Sequence, residues 1–177
     1  MADFKYEVIK NIRTLSENSK NSIRLRLISW NGNQPKYDLR KWLVDGDVPY
    51  KGVTLTKSEL MKIYDILSGS IKIEKNKKNI KYKVSLDRAS GKFDACIYDV
   101  LGEYKESKSM PGKVTYMSWG GLSKYDIRQW NNDYSKCGKG LSLTEQECES
   151  LISAIKDELK LNGNSEFDTS EIDDLLL

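Results

Sequence analysis

Hydrophobic and polar residues alternate in two neighbouring stretches of the first third of the chain. Ile23, Leu25 and Leu27 are separated by arginines, and Tyr37 and Leu39 alternate with Lys36, Asp38 and Arg40. A period of two places alternate side chains on one face of a β-strand. The pattern therefore predicts two half-buried strands. The opposite face of the first strand carries Arg24, Arg26, Ile28 and Trp30.

A helix is predicted directly after these strands. Thr56 precedes Glu59 by three residues, so the threonine side chain can accept a hydrogen bond from the Glu59 amide while the carboxylate reaches back to the Thr56 amide. Leu60, Ile63 and Leu67 follow at the spacing of one helix face. A stripe this regular is typical of a helix that packs on a core.

The whole pattern returns 88 residues further along the chain. From Lys36 to Glu59, 11 of 24 residues are identical to the residues 88 positions later. The capping box returns at Thr144 and Glu147. The second helical stripe consists of Cys148, Leu151, Ile152, Ile155 and Leu159. The repeat indicates an internal duplication.

The duplication defines the predicted fold as α+β, with an antiparallel sheet followed by a helix, twice over. The boundaries are a first unit at 1–68, a basic connector at 69–92, a second unit at 93–160 and an acidic, disordered tail at 161–177. A unit of about 65 residues buries little surface alone. We therefore expect the two units to share a core as an intrachain pseudo-dimer, as two subunits of a symmetric dimer do.

Composition excludes several classes of function. The 177 residues include no histidine, which removes the commonest general base and zinc ligand. The three cysteines lack the spacing of a zinc site or a disulfide framework, and free thiols fit a reducing cytoplasm. No signal segment or membrane span is recognisable. The sequence predicts a cytoplasmic protein that is not an enzyme, with no cofactor, metal or membrane contact.

Charge is unevenly distributed along the chain. The last twelve residues carry five acids and no base, so the remaining 165 residues have a net charge of +8. Residues 72–92 hold eight bases and two acids. A basic body predicts a polyanionic partner.

All four tryptophans occupy repeated positions beside bases. Trp30 and Trp119 end one pair of equivalent predicted strands, and Trp42 and Trp130 end the next pair. Unpaired nucleic-acid bases stack on aromatic rings while lysine and arginine neutralise phosphates, so the pattern predicts single-stranded nucleic-acid binding. Closure of the sheet against the helix or the other unit is the alternative explanation, above all for Trp42 and Trp130.

Two aspartates interrupt the predicted binding face. Asp38 and Asp126 would repel phosphate, so we interpret each as an ion-pair partner that holds Arg40 or Arg128 in place. Metal binding is the alternative, but each unit offers only one carboxylate at this position, and one carboxylate is a weak basis for a metal site.

The runs Ile28–Trp30, Lys36–Trp42 and Lys51–Thr56, with their copies in the second unit, resemble the positive cofactor four family of transcriptional coactivators, in particular its short bacterial members. The resemblance implies a curved four-stranded sheet followed by a helix, dimerisation through the helices, and single-stranded DNA along the sheets with little sequence preference. Family members usually carry one unit, whereas this chain carries two.

The candidate nucleic-acid-binding residues come from two sources. The resemblance implies Trp30, Lys36, Arg40, Lys51, Trp119, Lys124, Arg128 and Lys139. Strand periodicity adds Arg24, Arg26, Trp42, Lys113 and Trp130. Arg26 is replaced by Thr115 in the second unit, which leaves equal binding by the two units an open question.

The C-terminal tail is acidic and ends in apolar residues. It resembles the tails with which bacterial and phage single-stranded-DNA-binding proteins recruit replication and repair enzymes. The partner-binding residues expected there are Asp173, Asp174, Leu175, Leu176 and Leu177. If the tail competes with DNA for the basic face, deletion of 166–177 should tighten DNA binding at low salt.

Three hypotheses about the function follow from the sequence. The first is a single-stranded-DNA-binding protein of replication, recombination or repair, in a bacterium or phage. The second assigns the same binding, to DNA or RNA, to transcription. The third is a protein-interaction scaffold whose tryptophans are hot spots. A further homo-oligomer of the pseudo-dimer is compatible with each hypothesis.

Overall fold

The computed structural model describes residues 5–71 and 79–161. The first unit contains β1 (Tyr6–Glu17), β2 (Asn21–Trp30), β3 (Lys36–Leu43), β4 (Val48–Leu55) and α1 (Lys57–Ser70). The second unit contains β5 (Tyr82–Arg88), β6 (Gly91–Lys105), β7 (Gly112–Ser118), β8 (Lys124–Trp130), β9 (Cys137–Leu143) and α2 (Glu145–Glu158). The α+β class and the order of strands before helix are confirmed.

Both sheets are antiparallel, with their strands in chain order. The first sheet has four strands as expected, but the second has five, so the prediction of four strands in each unit is wrong for the second. The additional strand β5 forms inside the predicted connector, where Val84 and Leu86 are buried and alternate with exposed residues. It joins β6 by a tight turn between the paired residues Arg88 and Gly91.

The long strands β1 and β6 carry the same series of irregularities. The pairing of β1 with β2 shifts after Val8, Asn11 and Thr14, and that of β6 with β7 shifts after Ile97, Val100 and Glu103. Each shift in β6 lies 89 residues after its counterpart in β1. Bulges bend a strand and increase its twist. They therefore bend and twist β1 and β6 in the same way, and they extend the duplication beyond the residues that are identical.

The two helices begin and pack as the sequence predicts. Both capping boxes are present, at Thr56 with Glu59 and at Thr144 with Glu147. The predicted stripe of α1 is buried, as are Cys148, Leu151, Ile155 and Leu159 of the α2 stripe, while Ile152 is half-buried. One hydrophobic core includes these residues together with side chains from both sheets.

Contacts between the units are reciprocal. The two helices touch, β4 lies close to β9, α1 packs on β6, and α2 packs on β1. At one of these contacts, Lys10 of β1 forms an ion pair of 2.7 Å with Glu158 of α2, and Arg13 forms one of 2.9 Å with Asp157. At another, Gly102 of β6 leaves room for the side chain of Ile66 from α1.

None of the helices in the described ranges is long and apolar enough to cross a membrane.

Candidate nucleic-acid interface

A tryptophan, an aspartate and an arginine form a cluster in the first unit. The indole nitrogen of Trp30, at the end of β2, donates to Oδ2 of Asp38 on β3 at 3.1 Å. Arg40 donates from Nε and Nη2 to the same carboxylate, at 2.7 and 2.9 Å. Its guanidinium carbon lies 4.9 Å from the centre of the Trp30 ring. Thr54 of β4 adds a hydroxyl at 3.3 Å from the carboxylate.

The second unit repeats this cluster almost atom for atom. Trp119 donates to Asp126 at 3.1 Å, and Arg128 donates to both carboxylate oxygens at 2.6 and 3.0 Å. Ser142 takes the place of the threonine, at 2.7 Å. The Arg128 guanidinium lies 4.5 Å from the Trp119 ring centre. We call each of these arrangements a Trp–Asp–Arg cluster.

The two aspartates act as internal anchors. Asp38 and Asp126 are completely buried, and each makes a bidentate pair with an arginine, so the ion-pair interpretation is confirmed. Burial opposes the charge of Arg128, yet the adjacent Asp126 carboxylate raises its pKa above the usual value. Each pair has no net charge. Arg40 and Arg128 therefore orient the tryptophan rings more than they attract phosphate.

The glycine of the repeated Lys–Gly motif permits this geometry. Gly52 on β4 pairs with Arg40, and Gly140 on β9 pairs with Arg128. A Cβ atom at Gly52 would collide with the Arg40 side chain and the Leu39 carbonyl oxygen, and Gly140 is in the same position. The bare backbone lets β4 and β9 approach the strand that carries each arginine.

Trp42 and Trp130 do not belong to an exposed face. Both are 0% exposed, so the prediction that they contact nucleic acid directly is wrong. Trp42 packs on Tyr6 and stacks on Trp30, with ring centres 5.3 and 6.5 Å apart. In the second unit, Trp130 belongs to a small separate core between β5, β6 and β7. In the first unit, Tyr6 and Trp30 thus cover Trp42 on the face that strand periodicity alone leaves open.

Three of the predicted cations are also engaged inside the protein. Arg26 is 6% exposed, which corrects its assignment as a phosphate contact, and it lies over the Trp42 ring at 4.6 Å. Arg24 forms an ion pair of 2.8 Å with Asp47. Lys113 donates to the Tyr134 hydroxyl at 2.9 Å. Arg24 and Arg26 thereby stabilise the first sheet and Lys113 stabilises the second, and the charge of each side chain is partly or wholly enclosed.

The remaining predicted lysines are available to a ligand. Lys36, Lys51 and Lys139 are exposed, and Lys124 is half-buried. None of these four forms an ion pair within residues 5–71 and 79–161. Trp30 and Trp119 are half-buried, so part of each ring reaches the surface.

A groove of about 830 Å³ lies between the two units beside Trp119. Its basic side chains are Lys41 and Lys51 from the first unit and Arg88, Lys124 and Arg128 from the second. Its aromatic side chains are Tyr50, Phe93 and Trp119. Among the described residues that line it, Glu147 is the one acid, and its carboxylate accepts from Ser16 and from the Thr144 amide. Because Asp126 neutralises Arg128, the other four cations against Glu147 give the groove its positive charge, and three rings flank it.

Four residues of this groove were not predicted as site residues. Tyr50 is 51% exposed and Phe93 is 38% exposed, which is unusual for large rings. Arg88 lies 5.6 Å from the Phe93 ring centre and 6.0 Å from that of Trp119. Lys41 completes the set. The alternation in β5 and the tyrosine directly before the Lys–Gly motif, Tyr50, are signals that could have suggested some of them.

Two further expectations concern the tail and metal ions. The partner-binding residues at 173–177 lie outside the described residues. Within the described residues, no group of histidine, cysteine, aspartate and glutamate side chains has the arrangement of a metal site.

Comparison with known proteins shows that the chain is similar in sequence to a shorter protein. No family model matches the sequence. An uncharacterized protein of Treponema pallidum (strain Nichols) is 46% identical over 67 residues, which are 37% of this chain and 79% of that protein. The relative is therefore about half as long as this chain, and the match is about the length of one sheet–helix unit. By this identity and coverage, the chain belongs to the same family as the uncharacterized Treponema pallidum protein.

Proposed function

We propose that this protein binds single-stranded DNA with little sequence preference and catalyses no reaction. The observation that carries the proposal is the groove between the units, where Lys41, Lys51, Arg88 and Lys124 surround three aromatic side chains. Lysine and arginine neutralise phosphates, and exposed rings accept stacked bases. A duplex hides the faces of its bases and gains little from Tyr50, Phe93 and Trp119.

The Trp–Asp–Arg clusters fit this function because they hold a ring in advance of binding. Trp119 is fixed by its hydrogen bond to Asp126 and by the Arg128 guanidinium beside it. A ring that is already ordered loses little side-chain entropy when a base stacks on it. Single-stranded RNA offers the same stacking surfaces and phosphates, so it is a second candidate ligand for the groove.

The arrangement of the units is proposed to be an intrachain pseudo-dimer of the kind that the resemblance to the positive cofactor four family implies. Reciprocal packing supports this: α1 lies on β6 and α2 lies on β1, while the helices meet each other. A two-fold interface has this property, because each contact occurs twice with the roles exchanged. The half-length Treponema pallidum relative supports an origin by duplication of one unit.

The biological role proposed for this binding is in DNA replication, recombination or repair in the cytoplasm of a bacterium or of a phage-infected host. The acidic residues near the C-terminus support it, since a tail of this composition suits recruitment of partner proteins. A role in transcription is the alternative for the same DNA binding. The proteins that the tail captures would distinguish the two roles.

Titration of intrinsic tryptophan fluorescence with oligo(dT) at several salt concentrations tests the proposal. We expect quenching, because Trp30 and Trp119 reach the surface. We expect the affinity to fall with salt at a log–log slope of about −0.7 for each phosphate neutralised. Duplex DNA of the same length should compete poorly.

Phe93→Ala tests the proposal directly, because it removes one of the exposed rings of the groove. It should weaken oligo(dT) binding by about fivefold or more, the effect of removing one stacked base. Leu122→Ala is the matched control, because Leu122 is an apolar side chain, 86% exposed, that does not line the groove. Absence of binding at low salt would overturn the proposal and direct attention to a protein partner for the exposed rings.

A further inference from the structure

The repeated positions around the groove differ between the two units. Lys41 and Tyr50 line the groove from the first unit. At the equivalent positions 88 residues later, the second unit has Gln129 and Gly138. The Gln129 side-chain amide already donates to the Met110 carbonyl oxygen at 2.8 Å. At these two positions the second unit therefore offers one cation and one aromatic ring fewer than the first unit does.

The opposite wall of the groove adds to this difference. Arg88 ends β5 and Phe93 lies near the start of β6, so the β5–β6 hairpin brings a cation and a ring to Trp119. The ring centres of Phe93 and Trp119 are 6.0 Å apart. β5 has no counterpart among residues 5–71, in which the described sheet begins with β1. Among the described residues, β5 thus adds the Arg88 cation on the side of Trp119, the same side on which Lys41 and Tyr50 lie.

We infer that the units have diverged in their task, so that the groove beside Trp119 is the dominant site for a single strand and the related surface around Trp30 contributes less. The inference rests on the proposed function. Two identical subunits of a dimer must present identical sites. Two copies within one chain can diverge, and here the changes at Lys41 and Tyr50 are of the kind that concentrates charge and stacking on one side.

One consequence concerns the path of the strand. Tyr50 and Lys51 belong to the first unit, whereas Trp119 and Lys124 belong to the second, so a strand in the groove contacts both. The dominant site is therefore completed by the junction of the two units. We expect a short oligonucleotide to bind with a stoichiometry of one per chain.

The lysines of the repeated Lys–Gly motif offer a matched test within the molecule. Lys51 and Lys139 are the same residue type at equivalent positions 88 apart, and both are exposed, so neither substitution should affect folding. Lys51 lines the groove, whereas Lys139 is not among the residues that line it, and the repeat assigns Lys139 to the related surface. The probe is a labelled oligo(dT) of about eight nucleotides, followed by fluorescence anisotropy at several salt concentrations.

The two variants should separate clearly. We expect Lys51→Ala to raise the Kd roughly threefold more than Lys139→Ala does, and to reduce the salt slope by about 0.7, the loss of one phosphate contact. Equal effects of the two variants, or two equivalent sites per chain at saturation, would overturn the inference and leave single-strand binding intact. Failure of the unmodified protein to bind the oligonucleotide would instead overturn the proposed function.

Discussion

The indole nitrogen of Trp119 lies 3.1 Å from Oδ2 of Asp126, and the same distance separates Trp30 from Asp38 in the first unit. A single buried carboxylate thereby fixes both a ring and a guanidinium. The buried aspartate is therefore the residue that organises each Trp–Asp–Arg cluster.

Removal of this carboxylate should destabilise the fold. Asp126→Ala leaves the enclosed Arg128 guanidinium and the Trp119 N–H without their partner. Loss of one member of a buried ion pair costs about 3–5 kcal/mol, because the other charge stays buried. Urea unfolding followed by circular dichroism measures the change.

The control for this substitution is Asp94→Ala, at an exposed position on β6. An exposed substitution of this kind changes the free energy of unfolding by about 0.5 kcal/mol at most. Similar losses for Asp126→Ala and Asp94→Ala would contradict the anchoring role of Asp126.

A methyl group at the glycine of either Lys–Gly motif should also be costly. Gly52→Ala and Gly140→Ala each place a Cβ against the backbone and side chain of the neighbouring strand. Overpacking of this kind costs about 1–3 kcal/mol of unfolding free energy. Gly69→Ala near the end of α1 meets no atom within 4 Å and should be neutral or stabilising, since alanine is the better helix former. Chemical denaturation of the three variants distinguishes these effects.

Local periodicity was sufficient to predict β2, β3, both helices and their caps, but it misplaced Trp42. Trp30 and Trp42 share a face in an ideal flat sheet, yet Trp42 is fully buried and Trp30 is not. The bulges in β1 fall at Ile9, Ile12 and Leu15, and those in β6 at Tyr98, Leu101 and Tyr104, so apolar side chains there recur every three residues and not every two. Curvature therefore could not be read from the alternation.

The hairpin and the groove were missed for different reasons. Val84 and Leu86 alternate with Lys83, Ser85 and Asp87, which is a strand pattern, but the charge of this region suggested a connector. The groove, by contrast, joins Tyr50 of one unit to Trp119 of the other. No periodicity within a unit specifies how two units meet.

Solvent access to the four tryptophans should follow their burial. Trp42 and Trp130 are 0% exposed, whereas Trp30 and Trp119 are half-buried. A polar quencher such as iodide reaches only rings at the surface, so the double variant Trp30→Phe, Trp119→Phe should lose most of the quenchable emission. Stern–Volmer titration measures it. If the paired variant Trp42→Phe, Trp130→Phe removed the larger share instead, the assignment of the exposed rings would be wrong.

Tyr125 should make the stability of the protein fall at alkaline pH. Burial raises the pKa of this core tyrosine from 10.0 to about 12, with a smaller effect of the Glu145 charge. The folded protein then keeps a proton that the unfolded chain releases, so the free energy of unfolding decreases as the pH rises from 10.0 towards about 12. Below pH 10 the contribution is fully present.

Phenylalanine at position 125 removes this titration. Tyr125→Phe should lose less unfolding free energy than the unmodified protein between pH 10 and about 12, because its ring has no proton to release. Ile155→Val is the control: it trims the same core and should lower stability by about 0.5–1.5 kcal/mol at every pH, without changing the slope. Urea unfolding of the three proteins across this range measures the slopes. Parallel curves for Tyr125→Phe and the unmodified protein would show that another group controls alkaline unfolding.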